Sequence, residues 1–188
     1  LFAPAAIDGA IHRGVIMKRN TPVTQNEYLL NEDSTLLSTT DTQSHITYAN
    51  TAFIEASGFT EEQLKGQPHN IIRHPDMPPA AFGDMWFTLQ QGDSWTGIVK
   101  NRRQNGDHYW VRANVTPVCQ QGKLTGYISV RNIPAREEID ASAALYQRVN
   151  ENKIKGYKFY KGLLVRRGLL SFLSLFQRIS AAGRDRKS

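Results

Sequence analysis

The period of the sequence changes near residue 95, and this change limits the folds that the chain can adopt. Three runs typical of strands follow one another there, over 95–103, 108–119 and 124–132. The tetrapeptides QNGD and QQGK separate these runs, and short glycine-containing turns of this kind connect hairpins. Two hairpins in succession predict an antiparallel meander of three strands.

The first half of the chain predicts two short strands followed by helices. The first strand is expected over 35–41, where it ends at a turn, and the second over 44–50, where apolar and polar residues alternate. Asn50 has a side chain suited to cap a helix over 51–58. Gly58 fits the position just past the end of that helix, where a left-handed backbone is common.

Two further helices are expected before the meander. Thr60 and Gln63 have the spacing of a capping box, which predicts a short helix within 59–67. A longer helix is predicted to begin at Pro79 and to end at Gly92. Apolar residues recur in this helix at helical spacing and predict one buried stripe. The stripe residues are Phe82, Met85, Trp86 and Leu89.

A final helix predicted over 135–153 completes the order β-β-α-α-α-β-β-β-α. This order fits an α+β fold in which one five-stranded antiparallel sheet carries its helices on one face. The chain is then divided into an N-terminal extension (1–33), a domain (34–135) and a C-terminal helix with a basic linker (136–188).

Charge is concentrated at the C-terminal end. The chain has a formal net charge of +6, but residues 153–188 alone carry ten Lys or Arg and one acid. The remainder is therefore slightly acidic, which disfavours nucleic acid as a partner of the domain. Apolar residues at helical spacing in this basic stretch fit contact of residues 155–183 with an anionic membrane surface, and they equally fit packing on the protein or on a downstream partner. They are Leu169, Phe172, Leu173 and Phe176.

Two further features bear on where the protein works. Cys119 is the single cysteine, so no internal disulfide can form, and this fits a reducing compartment. No run of about 18 consecutive apolar residues occurs, which is the minimum for a transmembrane helix. We therefore expect a cytoplasmic location, with membrane association if the chain is part of a longer receptor.

The segment GQPHNIIRHPDMP places a cation, an imidazole and a carboxylate around one proline, as Arg73, His74 and Asp76. A metal site, a catalytic site, a grip for a phosphate or cofactor, and an ordinary polar turn all use such residues. A metal site requires several convergent ligands, whereas His69 and His74 lie five residues apart on a proline-containing loop. No nucleophile–base pair stands out, so we expect no enzymatic activity.

Several longer segments resemble a known family. ITYANTAFIEASGFTEEQLKGQ, NRRQNGDHYWVRANVTPV and GYISVRNI, in this order, resemble PAS sensor domains. QPHNIIRHPDMPPAAFGDMWFTLQQGDSW resembles more specifically the flavin-binding PAS domain of the bacterial aerotaxis receptors, which are methyl-accepting chemotaxis proteins. The resemblance implies non-covalent FAD binding and redox sensing. It also implies partners, namely a HAMP and signalling region, a chemotaxis kinase complex and a second copy of the chain.

The resemblance also implies which residues hold the FAD. A flavin needs an apolar slot for its ring, hydrogen-bond partners at the ring edge and donors or cations for its phosphates. Aromatic residues with Ile98 and Val111 are expected to form the slot, and the planar cation of Arg73 suits a phosphate. The implied cofactor-binding residues are Asn50, Arg73, His74, Asp76, Trp86, Trp95 and Tyr109.

Other interpretations of the same residues stay open at this stage. Asn50 is also explained as a helix cap, Arg73 with Asp76 as an exposed turn pair, and the aromatic residues as plain core. A PAS interaction module without a cofactor and a haem-binding PAS gas sensor, with His69 or His74 as axial ligand, are the alternative functions. A light-sensing domain that forms a cysteinyl adduct is disfavoured, because no cysteine lies in the loop–helix region. The choice of FAD over FMN rests on the resemblance.

Overall fold

The computed structural model describes residues 20–31 and 33–166. Its strands are β1 (Leu36–Thr40), β2 (Ile46–Ala49), β3 (Trp95–Arg102), β4 (His108–Gln120), β5 (Lys123–Asn132), β6 (Tyr157–Tyr160) and β7 (Leu163–Arg166). Its helices are α1 (Thr51–Ser57), α2 (Glu61–Leu64), α3 (Pro79–Gln90) and α4 (Arg136–Asn150), with a 3₁₀ turn at His69–Ile72.

The first five strands form one antiparallel sheet in the order β2-β1-β5-β4-β3. The meander lies at one side, with β3 at the edge, and β1 pairs with both β2 and β5. Val99 stands opposite Val111, and Ser38 stands opposite Ser129. The sheet confirms the expected fold class.

Local sequence signals explain where the helices begin and end. Asn50 accepts a hydrogen bond from the Phe53 amide at 3.0 Å, which caps α1 as expected. Gly58 closes that helix with a left-handed backbone of φ 72°. Thr60 and Gln63 form the expected capping box at α2, and α3 begins at Pro79. These predictions are confirmed.

Side chains alternate between two faces of the sheet. Trp95, Val99, Tyr109, Val111 and Arg131 lie on what we call the inner face, by the register of β3, β4 and β5. Helix α3 packs on this face, where Trp86 meets Tyr127 edge-on with ring centroids 5.3 Å apart. Helix α1 packs there too, through Phe53.

The opposite, outer face carries Lys100, His108 and Trp110. Helix α4 lies on this outer face, because Tyr146 stacks on Trp110 and its hydroxyl donates to the Ile98 carbonyl at 2.5 Å. The expectation that the helices share one face therefore holds for α1–α3, whereas α4 covers the other face.

The buried stripe of α3 differs from the prediction. Only Leu89 of the four predicted residues is buried, whereas Phe82, Met85 and Trp86 are half-buried against the core. The helix instead directs Ala81, Asp84 and Thr88 inward. The reason is tertiary: Asp84 accepts hydrogen bonds from groups on β3 and on the segment after α4.

Residues 157–166 form the hairpin β6–β7. The sequence indicated only a basic linker after α4, and it gave no sign of this hairpin. Residues 167–188, with the amphipathic stripe, lie outside the described residues. None of the helices within 20–31 and 33–166 has the length and apolarity that a membrane crossing demands.

Candidate cofactor-binding site

The proline-containing loop runs along the free edge of β3. Arg73 forms an isolated antiparallel bridge with Asn101, and the Lys100 amide donates to the Met77 sulfur at 3.3 Å. Asn20 of the N-terminal segment donates to the Asn70 and Arg73 carbonyls at 2.7 and 2.9 Å. Because the loop pairs with the sheet edge, its successive side chains reach opposite faces.

His74 lies at the outer face with Asp76, Lys100 and His108, which together we call the outer cluster. The His74 side chain is fully buried, and its Nδ1 accepts a hydrogen bond from the Asp76 amide at 3.1 Å. The ring proton is therefore on Nε2, which is buried without a partner in the described structure. Lys100 Nζ lies 2.7 Å from Asp76 Oδ2, and the His108 ring is 5.8 Å from the His74 ring.

Burial and neighbouring charges keep Asp76 ionised beside Lys100 and keep the His74 ring neutral. Burial, followed by the nearby charge of Lys100, lowers the pKa of His74 to about 4, although Asp76 opposes this shift. Burial by itself would raise the pKa of Asp76, but the hydrogen bond and charge of Lys100 outweigh it and the pKa is lowered. At neutral pH the cluster therefore contains one ion pair and a neutral His74.

A second polar group, the inner cluster, lies beneath α1 on the inner face. Arg131 is 3% exposed, and its Nη2 donates to His69 Nε2 at 2.7 Å and to Ser38 Oγ at 3.1 Å. Its guanidinium also lies 4.9 Å from the Phe53 ring centre. Burial and then the charge of Arg131 lower the pKa of His69 to about 3. His69 is therefore neutral, with Nε2 as an acceptor. Tyr109 and Ser129 complete the cluster.

The inner cluster contains three buried polar atoms without hydrogen-bond partners. They are Nη1 of Arg131, the Tyr109 hydroxyl and Oγ of Ser129. The Tyr109 hydroxyl lies beside Asn101 without a well-formed hydrogen bond to it, and burial raises its pKa to about 12. No carboxylate in the described ranges forms an ion pair with Arg131. Leaving such donors unsatisfied costs free energy, so the cluster favours a ligand that presents acceptors.

Four of the residues implied by the resemblance lie on the inner side. Trp95 and Tyr109 are buried there, and Trp86 is half-buried against Tyr127. Arg73 is half-buried with its guanidinium 4.2 Å from the Phe82 ring centre, and burial lowers its pKa to about 10.

The other three implied residues have different surroundings. His74 and Asp76 belong to the outer cluster, on the face of the sheet opposite to Trp95. Asn50 uses its oxygen for the Leu37 and Phe53 amides and its nitrogen for the Thr35 carbonyl, at 2.8–3.0 Å. Contact of these three with a ligand stays a prediction. Ile98 was expected in the slot, but its side chain lies on the outer face, because it alternates with the inward Val99.

The inner cluster is covered by side chains in this conformation. A cavity of about 190 Å³ lies on the outer face, between the segment 27–30 and the start of α4, and a second cavity of about 10 Å³ lies near β2 and α2. Neither is lined by the inner cluster, and ligand pockets occupy roughly 300–1,000 Å³. A flavin ring would therefore enter only if the side chains that cover the inner cluster move outward.

Of this cluster, sequence reasoning named Tyr109 as a cofactor-binding residue and His69 as a possible iron ligand, but it missed Ser38, Ser129 and Arg131. The available signal was the position of Arg131, because it alternates with Tyr127 and Ser129 toward the buried face of β5. Within the described ranges, no three His, Cys, Asp or Glu residues lie close enough to hold a metal ion.

The chain is similar to several known proteins. Residues 46–131 match the family model described as PAS fold. The aerotaxis receptor of Escherichia coli K12 is 54% identical over 84% of the chain, and the nitrogen fixation regulatory protein of Klebsiella pneumoniae is 30% identical over 79%. The chain spans only 31% and 28% of the lengths of these two relatives.

Solved structures share the fold. The dark structure of the blue-light photoreceptor Aureochrome1 LOV has a TM-score of 0.52 and 20% identity, and the match covers 63% of the chain and 86% of that domain. An RNA-binding light-oxygen-voltage receptor also has a TM-score of 0.52, at 22% identity, over 63% of the chain and 35% of that receptor. At these identities the likeness concerns the fold alone.

Proposed function

The chain belongs to the aerotaxis receptor family as a PAS sensor domain, and from this premise we propose that it binds a flavin, FAD, on the inner face. The proposed output is a redox signal for aerotaxis. The observation that carries the proposal is the buried guanidinium of Arg131, which has no carboxylate partner among the described residues.

The inner cluster has the hydrogen-bonding character that a flavin edge requires. A bound flavin supplies a ring that accepts electrons and presents carbonyl oxygens and ring nitrogens at one edge. Nη1 of Arg131 and the hydroxyls of Tyr109 and Ser129 can all donate to such acceptors. Arg131 is a fixed positive charge in a dry site, so it favours a ligand whose edge becomes more negative.

The remaining implied residues fit supporting roles. The Trp95 indole forms an apolar wall, and the half-buried Trp86 packs against Tyr127 on the α3 side. Arg73 is the cation on the inner side of the loop and suits the phosphates of FAD. We expect His74 and Asp76 to fix the course of this loop along β3, and Asn50 to fix the start of α1.

The relatives extend the proposal to the whole protein. One is named an aerotaxis receptor and another a nitrogen fixation regulatory protein, so a signalling role without catalysis is proposed for this chain as well. The proposed partners are a HAMP and signalling region and a chemotaxis kinase complex, with a second copy of the chain in a homodimer. The proposed location of the domain is the cytoplasm.

The test is an absorbance spectrum of the purified protein, followed by titration with FAD, FMN and riboflavin. We expect flavin bands in the blue and stoichiometric uptake of FAD. Arg131→Gln should weaken flavin binding about 10- to 100-fold, because hydrogen bonds to charged groups contribute about 1.5–3 kcal/mol. Arg112→Gln is the matched control. It removes an arginine from the outer face of the same sheet, where Glu138 pairs with it, and should leave binding unchanged.

Three outcomes would contradict the proposal. A folded protein that stays colourless and takes up none of the three flavins favours the interaction module. A Soret band favours the haem sensor. Equal losses of binding in both arginine variants would remove the inner cluster from the site.

A further inference from the structure

One carboxylate joins three separate parts of the chain. Asp84 on α3 is 9% exposed, and its Oδ2 accepts hydrogen bonds from the Trp95 indole N–H at 2.8 Å and from the Gly162 amide at 2.7 Å. Its Oδ1 accepts from the Lys161 amide at 3.0 Å. The carboxylate therefore holds both the aromatic wall of the inner face and the turn of the β6–β7 hairpin.

The hairpin turn approaches the sheet too closely for any residue other than glycine. A Cβ atom at Gly162 would lie 1.7 Å from the Thr96 carbonyl oxygen. Lys161 and Gly162 both have positive φ, 50° and 83°, as a tight two-residue hairpin turn requires. The turn is thus fitted against β3 through its backbone.

The hydrogen bond from Trp95 connects the Asp84 carboxylate to the inner face. Trp95 is 2% exposed, and its ring covers Gly97, where a Cβ atom would lie 2.4 Å from the ring. A tilt of the indole changes the geometry at Oδ2, which the Gly162 amide shares. The hairpin follows α4 in the chain, so it sets the direction in which the chain leaves the sheet.

From this geometry we infer that Asp84 is a latch that couples the position of the Trp95 indole to the docking of the 157–166 hairpin. When the hairpin is released, Oδ2 of Asp84 loses the hydrogen bond from Gly162, and the hydrogen bond from the Trp95 indole to the same oxygen changes. Movement of the indole weakens the hold on the hairpin by the same coupling free energy, because such coupling is reciprocal. A ligand on the inner face that displaces Trp95 thereby acts on the segment leading out of the domain. This last consequence rests on the proposed function.

The docking is tested by proteolysis and amide exchange on the protein without added ligand. Gly162→Ala should undock the hairpin by collision with Thr96, and Asp84→Asn should do so by loss of the charge. We expect tryptic cleavage after Lys158 and Lys161, and exchange at Lys161 and Gly162, to rise about tenfold or more, because such local opening controls both rates.

Two matched controls separate docking from incidental effects. Gly156→Ala introduces the same substitution at a positive φ of 77° with no atom within 4 Å of the new Cβ. Asp93→Asn removes a carboxylate that forms an exposed ion pair with the Lys161 side chain at 2.9 Å. Both controls should change cleavage less than about threefold, as exposed ion pairs contribute little. Equal cleavage of Gly162→Ala and Gly156→Ala would overturn the docking.

The coupling is tested at the indole itself. In Gly162→Ala the Nε1–H resonance of Trp95 should shift and exchange faster, although residue 162 lies 67 positions away in sequence, whereas Gly156→Ala should leave it in place. An unchanged indole resonance after hairpin release would reject the latch. This readout requires no flavin, so it decides the latch even if the proposed function fails.

A second arm applies if the protein carries flavin. Reduction with dithionite should change exchange at Lys161 and Gly162 in the wild type. In Trp95→Phe, at saturating flavin, amide exchange at the hairpin should be faster than in the wild type and should no longer respond to reduction, because the indole hydrogen bond to Asp84 is absent in both redox states. A redox response that persists unchanged in Trp95→Phe would show that the signal bypasses Asp84.

Discussion

His69 and His74 lie five residues apart on one loop, yet they reach opposite faces of the sheet. His69 receives a hydrogen bond from Arg131 and has no carboxylate beside it in the described structure. His74 lies beside the Asp76–Lys100 ion pair and receives the Asp76 amide. His74 is fully buried and His69 is half-buried, yet both rings are neutral, so the difference lies in what surrounds them.

This difference assigns separate tasks to the two clusters. In the outer cluster the cation of Lys100 is paired, and the bonds it makes hold the loop against β3. In the inner cluster the cation of Arg131 is buried without a counter-charge from the described residues, which protein interiors rarely tolerate unless a function requires it. We therefore expect substitutions in the outer cluster to act on stability and those in the inner cluster to act on ligand binding.

The largest expected effect of a substitution on stability is on the outer side. His74→Ala should lower the free energy of unfolding by about 3 kcal/mol, because it leaves a cavity and removes the acceptor of the Asp76 amide. Urea denaturation of the ligand-free protein measures this change. His45→Ala, at a partly exposed position of the same residue type, is the control and should cost less than about 1 kcal/mol. A stable His74→Ala protein that loses only FAD would instead place His74 at the ligand.

The second effect is a pH dependence that includes both clusters. The pKa values of His69 and His74 are lowered to about 3 and about 4 in the folded protein, from an ordinary value of 6.5. Below pH 6.5 the unfolded chain binds protons that the folded protein refuses, so the free energy of unfolding falls as the pH falls. Each histidine contributes up to about 1.4 kcal/mol per pH unit. Below pH 4 only His69 continues to contribute.

Denaturation at a series of pH values in wild type, His69→Gln and His74→Gln measures these contributions. Each variant should show a shallower decline between pH 6 and pH 4.5 than the wild type. A decline of unchanged steepness in His69→Gln would mean that His69 is already protonated beside Arg131. The inner cluster would then not contain the neutral His69 on which the comparison with the outer cluster depends.

The smallest expected effect is on the inner side. Arg131→Met should leave the free energy of unfolding of the ligand-free protein within about 1 kcal/mol of the wild type, because removing a buried unpaired charge offsets the lost contacts to His69 and Ser38. The same variant should lose the thermal stabilisation that added FAD gives to the wild type. If the free energy of unfolding of the ligand-free Arg131→Met protein fell by more than about 2 kcal/mol, Arg131 would have a structural role, as Lys100 has in the outer cluster.

The elements that the sequence predicted well depend on near neighbours. The cap at Asn50, the capping box at Thr60 and the glycine turn at Gly122 each involve residues within about four positions of one another, so their signals can be read locally. The meander followed from two such turns. The resemblance to a PAS sensor rested on the same segments.

Other features could not be predicted because their partners are distant in sequence. The β6–β7 hairpin docks through Asp84 and Thr96, more than 60 residues earlier, and its own sequence reads as a basic linker. The inward rotation of Asp84 on α3 has the same cause. The pairing of Arg73 with Asn101 decides that His74 faces outward, and no pattern within the loop contains that information.

The sequence by itself determined the order of the elements, the antiparallel sheet and the identity of the loop, because capping, turn formation and strand alternation act over a few residues. Only the tertiary structure decided which side of the sheet each polar residue reaches and which charges find partners. Those outcomes depend on the register between distant strands. A shift of one residue in that register exchanges the two faces, and with them the residues that a ligand can touch.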